Sequence, residues 1–206
     1  SLGDFYYVRW VGVDPEDGQQ IWLDDKGNET KEYSDNYAVF TGKNQYAPWS
    51  GGFNTRLSWK GFSVDANFSF MLGKYLIDND RYFVENPNFV GQFNQSVEMA
   101  NMWTTPGQIT DIPAANSTRQ FDTHLLENAS FMRLNYLSLG YSLNPKLLRR
   151  IGVTSLSINL NASNLFCLTN YSGADPEVSY GGMNVATDGA KTPRSRQFTA
   201  RVQIGF

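Results

Sequence analysis

Arg196-Gln197-Phe198-Thr199-Ala200-Arg201-Val202-Gln203-Ile204-Gly205-Phe206 is the stretch whose reading decides the fold. Phe198, Ala200, Val202, Ile204 and Phe206 fall on one side of an extended chain, and Gln197, Thr199, Arg201, Gln203 and Gly205 on the other. That two-residue period marks a strand with one apolar and one wet face. Soluble sandwiches use it too. Length separates the two cases, because about ten alternating residues is what a tilted strand needs to cross a bilayer with lipid on one side and a lumen on the other.

The pattern recurs upstream. Phe53, Thr55, Leu57 and Trp59 alternate with Asn54, Arg56, Ser58 and Lys60, and after a tight Lys60-Gly61 turn Phe62, Val64, Ala66, Phe68 and Phe70 alternate with Ser63, Asp65, Asn67 and Ser69. This predicts a hairpin whose polar face carries Arg56, Lys60 and Asp65, charges that a dry core rejects and a watery lumen accepts. From Ala129 to Leu143 the period slips once. Met132, Leu134 and Tyr136 share one parity and Leu137, Leu139, Tyr141 and Leu143 the other, as a bulge requires. A basic turn over residues 144–152, with one short helix, leads to Leu156, Ile158, Leu160 and Ala162 alternating with Ser157, Asn159 and Asn161. Short connections at 60–61 and 144–154 alternate with long ones at 73–123 and 167–193, the segregation of periplasmic turns from outer loops that an outer-membrane barrel shows.

The remaining segments are less regular. Residues 2–13 read as an aromatic-rich strand near a membrane interface. Turn clusters at 14–18 and 24–28 flank the short run 20–23 and make a hairpin extension. Their carboxylates lack the spacing of a helix-loop-helix calcium site, so no metal is assigned. Residues 31–50 read as an ordered loop and 73–123 as a long one, with a weak helical stripe from Phe93 to Trp103.

Composition bounds the function. With 15% aromatic and 18% charged residues among 206, and a mean hydropathy of −0.42, the chain has no apolar run of about 18 residues for a spanning helix. A barrel, half of whose strand residues face water, has such an average. A net charge of −3 offers no basic field for nucleic acid. His124 and Cys167 stand far apart in sequence, Cys167 reads as a buried filler, and Asp175 with Glu177 reads as a turn brace; no catalytic constellation and no cofactor are expected. The first residue is Ser1, and the strand count favours the C-terminal portion of a longer chain over a cleaved leader.

A family resemblance rests on many short pieces in order. Gly12-Val13-Asp14-Pro15-Glu16-Asp17-Gly18, Ile21-Trp22-Leu23-Asp24-Asp25-Lys26-Gly27-Asn28, Trp59-Lys60-Gly61-Phe62, Met102-Trp103-Thr104 and Ala129-Ser130-Phe131-Met132-Arg133-Leu134 come first. Leu137-Ser138-Leu139-Gly140-Tyr141, Asn161-Ala162-Ser163-Asn164-Leu165-Phe166, Asn170-Tyr171-Ser172-Gly173-Ala174-Asp175-Pro176-Glu177 and Pro193-Arg194 follow. Together they resemble the late barrel of SusC/RagA-type TonB-dependent transporters. The resemblance implies that residues 1–206 are the C-terminal part of an all-β, antiparallel barrel of about 22 strands, plug and early strands lying outside this chain. It implies active import of oligosaccharides or peptides across the outer membrane, a SusD-like surface lipoprotein as cap, TonB acting through the plug, and lipid around the barrel. Phe206 is then the assembly signal, on a periplasmic C-terminus. Trp49, Tyr75, Tyr82, Trp103 and Tyr171 are candidate ligand or lipoprotein contacts in outer loops, and Arg56, Asp65, Arg133 and Arg201 face the lumen and plug. A secreted carbohydrate-binding sandwich and a passive porin are the alternatives.

Overall fold

The computed structural model describes residues 2–148, 152–177, 187–189 and 192–206. In chain order these form β1 (Asp4–Tyr7), β2 (Trp10–Val13), β3 (Gln20–Leu23), β4 (Glu29–Thr30), β5 (Val39–Asn44), β6 (Trp49–Trp59), β7 (Phe62–Leu72), β8 (Tyr75–Asp78) and helix α1 (Asn79–Val84). There follow β9 (Leu126–Asn128), β10 (Phe131–Ser142), helix α2 (Pro145–Leu148), β11 (Ser155–Thr169), β12 (Thr187–Asp188) and β13 (Gln197–Gly205). The chain divides into two compact units, one of loops and short strands (1–46, 73–129, 171–192) and one of long strands (47–72, 130–170, 193–206).

The long strands make one antiparallel meander in the order β13-β11-β10-β7-β6. The hairpin that starts it is closed by Lys60 and Gly61, both with positive φ (46° and 92°), and Trp59 pairs with Phe62 across them. Two left-handed residues give a turn whose twist matches that of the flanking strands. At Gly61 there is no alternative, since a Cβ would stand 2.6 Å from the Ser142 carbonyl oxygen.

The slip in β10 falls at Asn135. Leu134 pairs with Phe68 and Tyr136 with Asn67, leaving Asn135 as the extra residue against β7. Against β11 the same Asn135 faces two residues, Asn164 and Leu165, because Leu134 pairs with Phe166 and Tyr136 with Ser163. Asn164 takes the strain with φ 54° and donates its amide to the Ser195 carbonyl at 3.1 Å. The bulges grow by one residue per strand, which bends the sheet and restores its facing. They also move Tyr136 off the apolar parity onto the polar one, a correction to the sequence reading.

Every long strand keeps its two faces. Leu57, Trp59, Phe62, Val64, Phe68, Met132, Leu134, Leu137, Leu139, Tyr141, Ile158, Leu160, Phe198, Val202 and Ile204 lie in register on one side. The starts of β6, β10 and β13 and the ends of β7 and β11 share one end of the sheet, so the segments before β6, between β7 and β10 and between β11 and β13 all leave from it.

The loop unit corrects three expectations. Residues 2–13 are two short strands, β1 paired with β5 and β2 paired with β3, because Phe5 and Val8 turn into a core of their own. Residues 31–50 contain β5. The helical stripe of 93–103 shrinks to a 3-10 turn at Val97–Asn101, capped by the Ser96 hydroxyl. The hairpin extension stands as β2-β3-β4. Of the connections read from sequence, 149–151, 178–186 and 190–191 lie outside the described residues.

Gly61→Val is expected to block the sheet from closing its first hairpin, combining a φ of +92° with a backbone clash. The left-handed conformation alone costs about 1–2 kcal/mol. Loss of the heat-modifiable, folded band on an unboiled gel measures it; an unchanged band would show that the turn adapts.

Candidate functional site

The polar face of the sheet is one continuous wall. Arg56 and Asp65 sit opposite each other on β6 and β7 and form an ion pair. Beside them runs an amide ladder: Asn67 donates to Asn54, Asn135 donates to the Asn67 carbonyl oxygen at 3.0 Å, and the Ser69 hydroxyl donates to Asn135 at 3.3 Å. The ladder exists because the bulge turns Asn135 toward this face. Further along, the Tyr136 hydroxyl donates to Asn161 at 2.8 Å and Asn161 to the Thr199 hydroxyl at 3.4 Å. A recess of about 560 Å³ is lined by Asn54, Arg56, Asp65, Asn67, Tyr136 and Ser138. Arg133 is buried, its guanidinium 5.7 Å from the Phe131 ring centre, and Arg201 lies opposite Asn159. The four charged residues singled out in the sequence therefore share one face. Lys60 does not join them, because its ammonium lies 4.8 Å from the ring centre of Trp59, on the apolar side. Cys167 is half-buried on the polar parity, opposite Arg133, and is not a core filler.

The loop unit is organised around buried charge. Arg81 on α1 donates to Glu85 at 3.0 Å and to Glu127 at 2.7 Å, and its third nitrogen stands 2.9 Å from Nε2 of His124. A guanidinium can only donate, so Nε2 accepts and the imidazole is neutral with its proton on Nδ1. Burial lowers the His124 pKa in the same sense, against the pull of Glu85. Burial alone would lower Arg81, but Glu85 and Glu127 outweigh it and raise it. Arg119, 1% exposed, donates to the carbonyls of Glu85 at 3.2 Å and Asp111 at 2.5 Å, and burial brings its pKa down to about 10. Asp122 accepts from the Trp22 indole at 2.7 Å and from the His124 N–H at 2.8 Å. In the acidic turns, Lys31 binds both Asp14 (2.6 Å) and Asp17 (2.7 Å), while Asp24 holds Asn28. Those carboxylates serve the loop itself, and no cluster able to hold a metal ion occurs among the described residues.

The aromatic candidates separate. Trp49, 72% exposed, starts β6 on the parity of Phe53, Leu57 and Trp59, so it belongs to the apolar face and not to a loop. Tyr75 accepts from Lys43 at 3.0 Å and packs, with Tyr82, on the cluster of Phe5, Ile77 and Leu125. Tyr82 also stacks on Phe121 with centroids 4.1 Å apart. The Trp103 indole donates to the Pro15 carbonyl at 3.0 Å and covers Gly18, where a Cβ would stand 2.5 Å from the indole ring. Tyr171 is 6% exposed and bonds Asp188 at 2.8 Å, which leaves no ring face for a ligand. Phe206 follows β13 and is exposed.

No family model matches the chain. Two TonB-dependent receptors of Formosa agariphila align with it, one at 23% identity over 99% of the chain and 20% of the relative, the other at 24% over 100% and 22%. Among solved structures, the RagAB peptide transporter matches at 38% identity and a TM-score of 0.86, covering 98% of this chain and 23% of that one. The RagAB peptide importer in its open-open state agrees equally well, at a TM-score of 0.86. The chain thus spans about a fifth of the length of these relatives.

Burial pushes Asp122 up to about 6, against the lowering effect of Trp22, and pushes Asp78 up to about 6, against that of the Arg81 N–H. Both folded values exceed the ordinary one of about 3.9, so protonation favours the folded loop unit. The stabilisation is complete below about pH 4 and is lost as pH rises through about 6. Glu85 is held below its usual range: burial raises it, but the guanidinium groups of Arg81 and Arg119 outweigh burial, so its contribution falls away only at lower pH. Asp122→Asn is expected to flatten the stability profile between pH 4 and 6 by on the order of 1–3 kcal/mol. Limited proteolysis of the loop unit across that range reads it, and a profile that superimposes on the parent's would count against the assignment.

Proposed function

We propose that this chain, a SusC/RagA-type TonB-dependent receptor segment by sequence and fold, supplies barrel wall and outer loops of an active outer-membrane importer of oligosaccharides or peptides. One observation carries the reading: five long strands keep one unbroken apolar face and one unbroken polar face, and every long connection leaves from the same end. A soluble sandwich would bury one face against a second sheet, and among the described residues no second sheet of that length exists.

The apolar face meets lipid and the polar face a lumen. The outer edges of β6 and β13 carry no partner strand among the described residues, and further strands, toward the family's total of about 22, would pair with them. Residues 1–206 are assigned to the C-terminal barrel portion, with C-terminus and short turns periplasmic and the long connections outer. Arg56, Asp65, Arg133 and Arg201 face the plug, through which TonB acts, and a SusD-like lipoprotein caps the outer side. The relatives are receptors and transporters, and we assign transport and no catalysis. RagAB is a peptide transporter, and its likeness to this chain favours peptides over sugars as cargo.

Uptake of labelled oligopeptides by cells expressing the native polypeptide is expected to stop when TonB or the proton-motive force is removed. Uptake that persists at the same rate would make the barrel a passive pore, and uptake of oligosaccharides alone would move the cargo to sugars. Deleting Phe206 is expected to lower the folded barrel in the outer membrane several-fold without changing synthesis; normal levels would remove its role as assembly signal.

A further inference from the structure

The charges of this chain are not mixed. The sheet unit carries nine Lys or Arg and a single carboxylate residue, Asp65, whereas the loop unit carries eight Lys or Arg and nineteen Asp or Glu. Asp65 is already paired with Arg56. The cations of the sheet unit therefore have no further acidic side chain of their own unit to turn to.

Two of them stand at the end of the sheet with the short connections. Lys60 is in the β6–β7 turn, and Lys146 is on the connection between β10 and β11; both are exposed. Among the described residues of this end, 58–63, 141–148, 152–157 and 202–206, there is no Asp or Glu. The apolar face ends here in a row of aromatic rings, with Trp59 paired to Phe62 and Phe62 to Tyr141, the last two rings 4.4 Å apart. Lys60 extends over the Trp59 ring. The ammonium is thus held at the lip of the apolar face, where an interfacial aromatic belt lies in a membrane barrel. Beside it a recess of about 800 Å³ is lined by Lys60, Tyr141, Ser142, Asn144, Ser155 and Gln203, which adds hydroxyl and amide groups to the charge.

We propose that this rim binds the headgroup of an anionic phospholipid, Lys60 and Lys146 pairing with the phosphodiester while Trp59, Phe62 and Tyr141 meet the upper acyl chain. Charge complementarity selects this occupant. A neutral lipid would satisfy the rings and leave the two ammonium groups without counter-charge, and a soluble anion would satisfy the ammonium groups and leave the rings in water. The site rests on the membrane-barrel reading above and adds a lipid class to it.

The test is native mass spectrometry of the native polypeptide in neutral detergent, titrated with phosphatidylglycerol and, separately, phosphatidylcholine of the same acyl chains. The parent should retain phosphatidylglycerol several-fold better. Lys60→Gln and Lys146→Gln should each weaken that retention roughly fivefold and leave phosphatidylcholine unchanged, while Lys60→Arg should keep it. Equal retention of the two lipids by the parent overturns the proposal, as does parental retention by the doubly substituted protein. Displacement of the lipid by inorganic phosphate would reassign the recess to a soluble anion and also overturn it. Should the Gln variants fail to fold, the parent's preference and Lys60→Arg still decide. A protein without heat-modifiable mobility would sink the barrel reading itself, whereas a folded barrel without lipid preference sinks only this site.

Discussion

Backbone hydrogen bonding is the constraint on which the sheet depends. In hydrocarbon each unpaired N–H or C=O costs several kcal/mol, so strands cross a membrane only where neighbours satisfy them on both sides. The pairing from β6 to β13 is continuous, and where the strands differ in length by a bulge the difference is absorbed by Asn135 and by Asn164 with Leu165. Both asparagines spend their side chains on local partners, Asn67 and the Ser195 carbonyl. The bend therefore leaves these amides satisfied, and it turns Tyr136 and Asn135 to the wet side where their polar atoms are used.

The loop unit meets a different demand. Its apolar clusters are small, one around Phe5, Ile77 and Leu125 and one around Leu76, Ala129 and Tyr171. Order must come from elsewhere, and it comes from charged hydrogen bonds inside the unit. Arg81, Arg119 and Asp122 each bridge segments distant in sequence, and truncating Arg81 is costly because the Glu85 carboxylate stays buried with its charge unmatched. Lys31 fastens the acidic turn by the same logic at the surface, where solvent weakens it.

Legibility followed periodicity. The last strand, the Lys60-Gly61 hairpin, the phase change in β10 and the strand from Ser155 were readable because a period of two leaves a trace in composition. The four charges of the polar face were readable for the same reason, since parity alone puts Arg56, Asp65, Arg133 and Arg201 on the side away from the apolar residues. What parity could not give was the loop unit. Arg81 meets His124 and Glu127 across 43 and 46 residues, and Trp22 meets Asp122 across 100. No local spacing announces such pairs. Tyr171 looked like a loop ring open to stacking by sugars or peptides, but its neighbour Asp188 lies 17 residues away and turns it inward. Trp49 looked like a loop residue because the aromatics of residues 31–50 follow no period in a polar segment. Gly51 stands opposite Phe70, where a Cβ would come within 3.1 Å of that ring, so the strand runs on through the small residues.

The same partition explains why the overall charge of −3 is uninformative. It is the remainder of two large and opposite charges. A surplus of carboxylates keeps a loop unit solvated and repels anionic headgroups, so segments 1–46, 73–129 and 171–192 are suited to water. A surplus of cations with almost no carboxylates does the reverse for strands whose ends lie at a lipid interface, since each exposed Lys or Arg there finds counter-charge in the membrane. Mixing the two sets would have cost both: acidic residues at the rim would face like charge, and extra lysines in the loop unit would compete with Arg81 and Arg119 for Glu85. Segregation by structural unit, and not by stretch of sequence, leaves each unit matched to its own solvent.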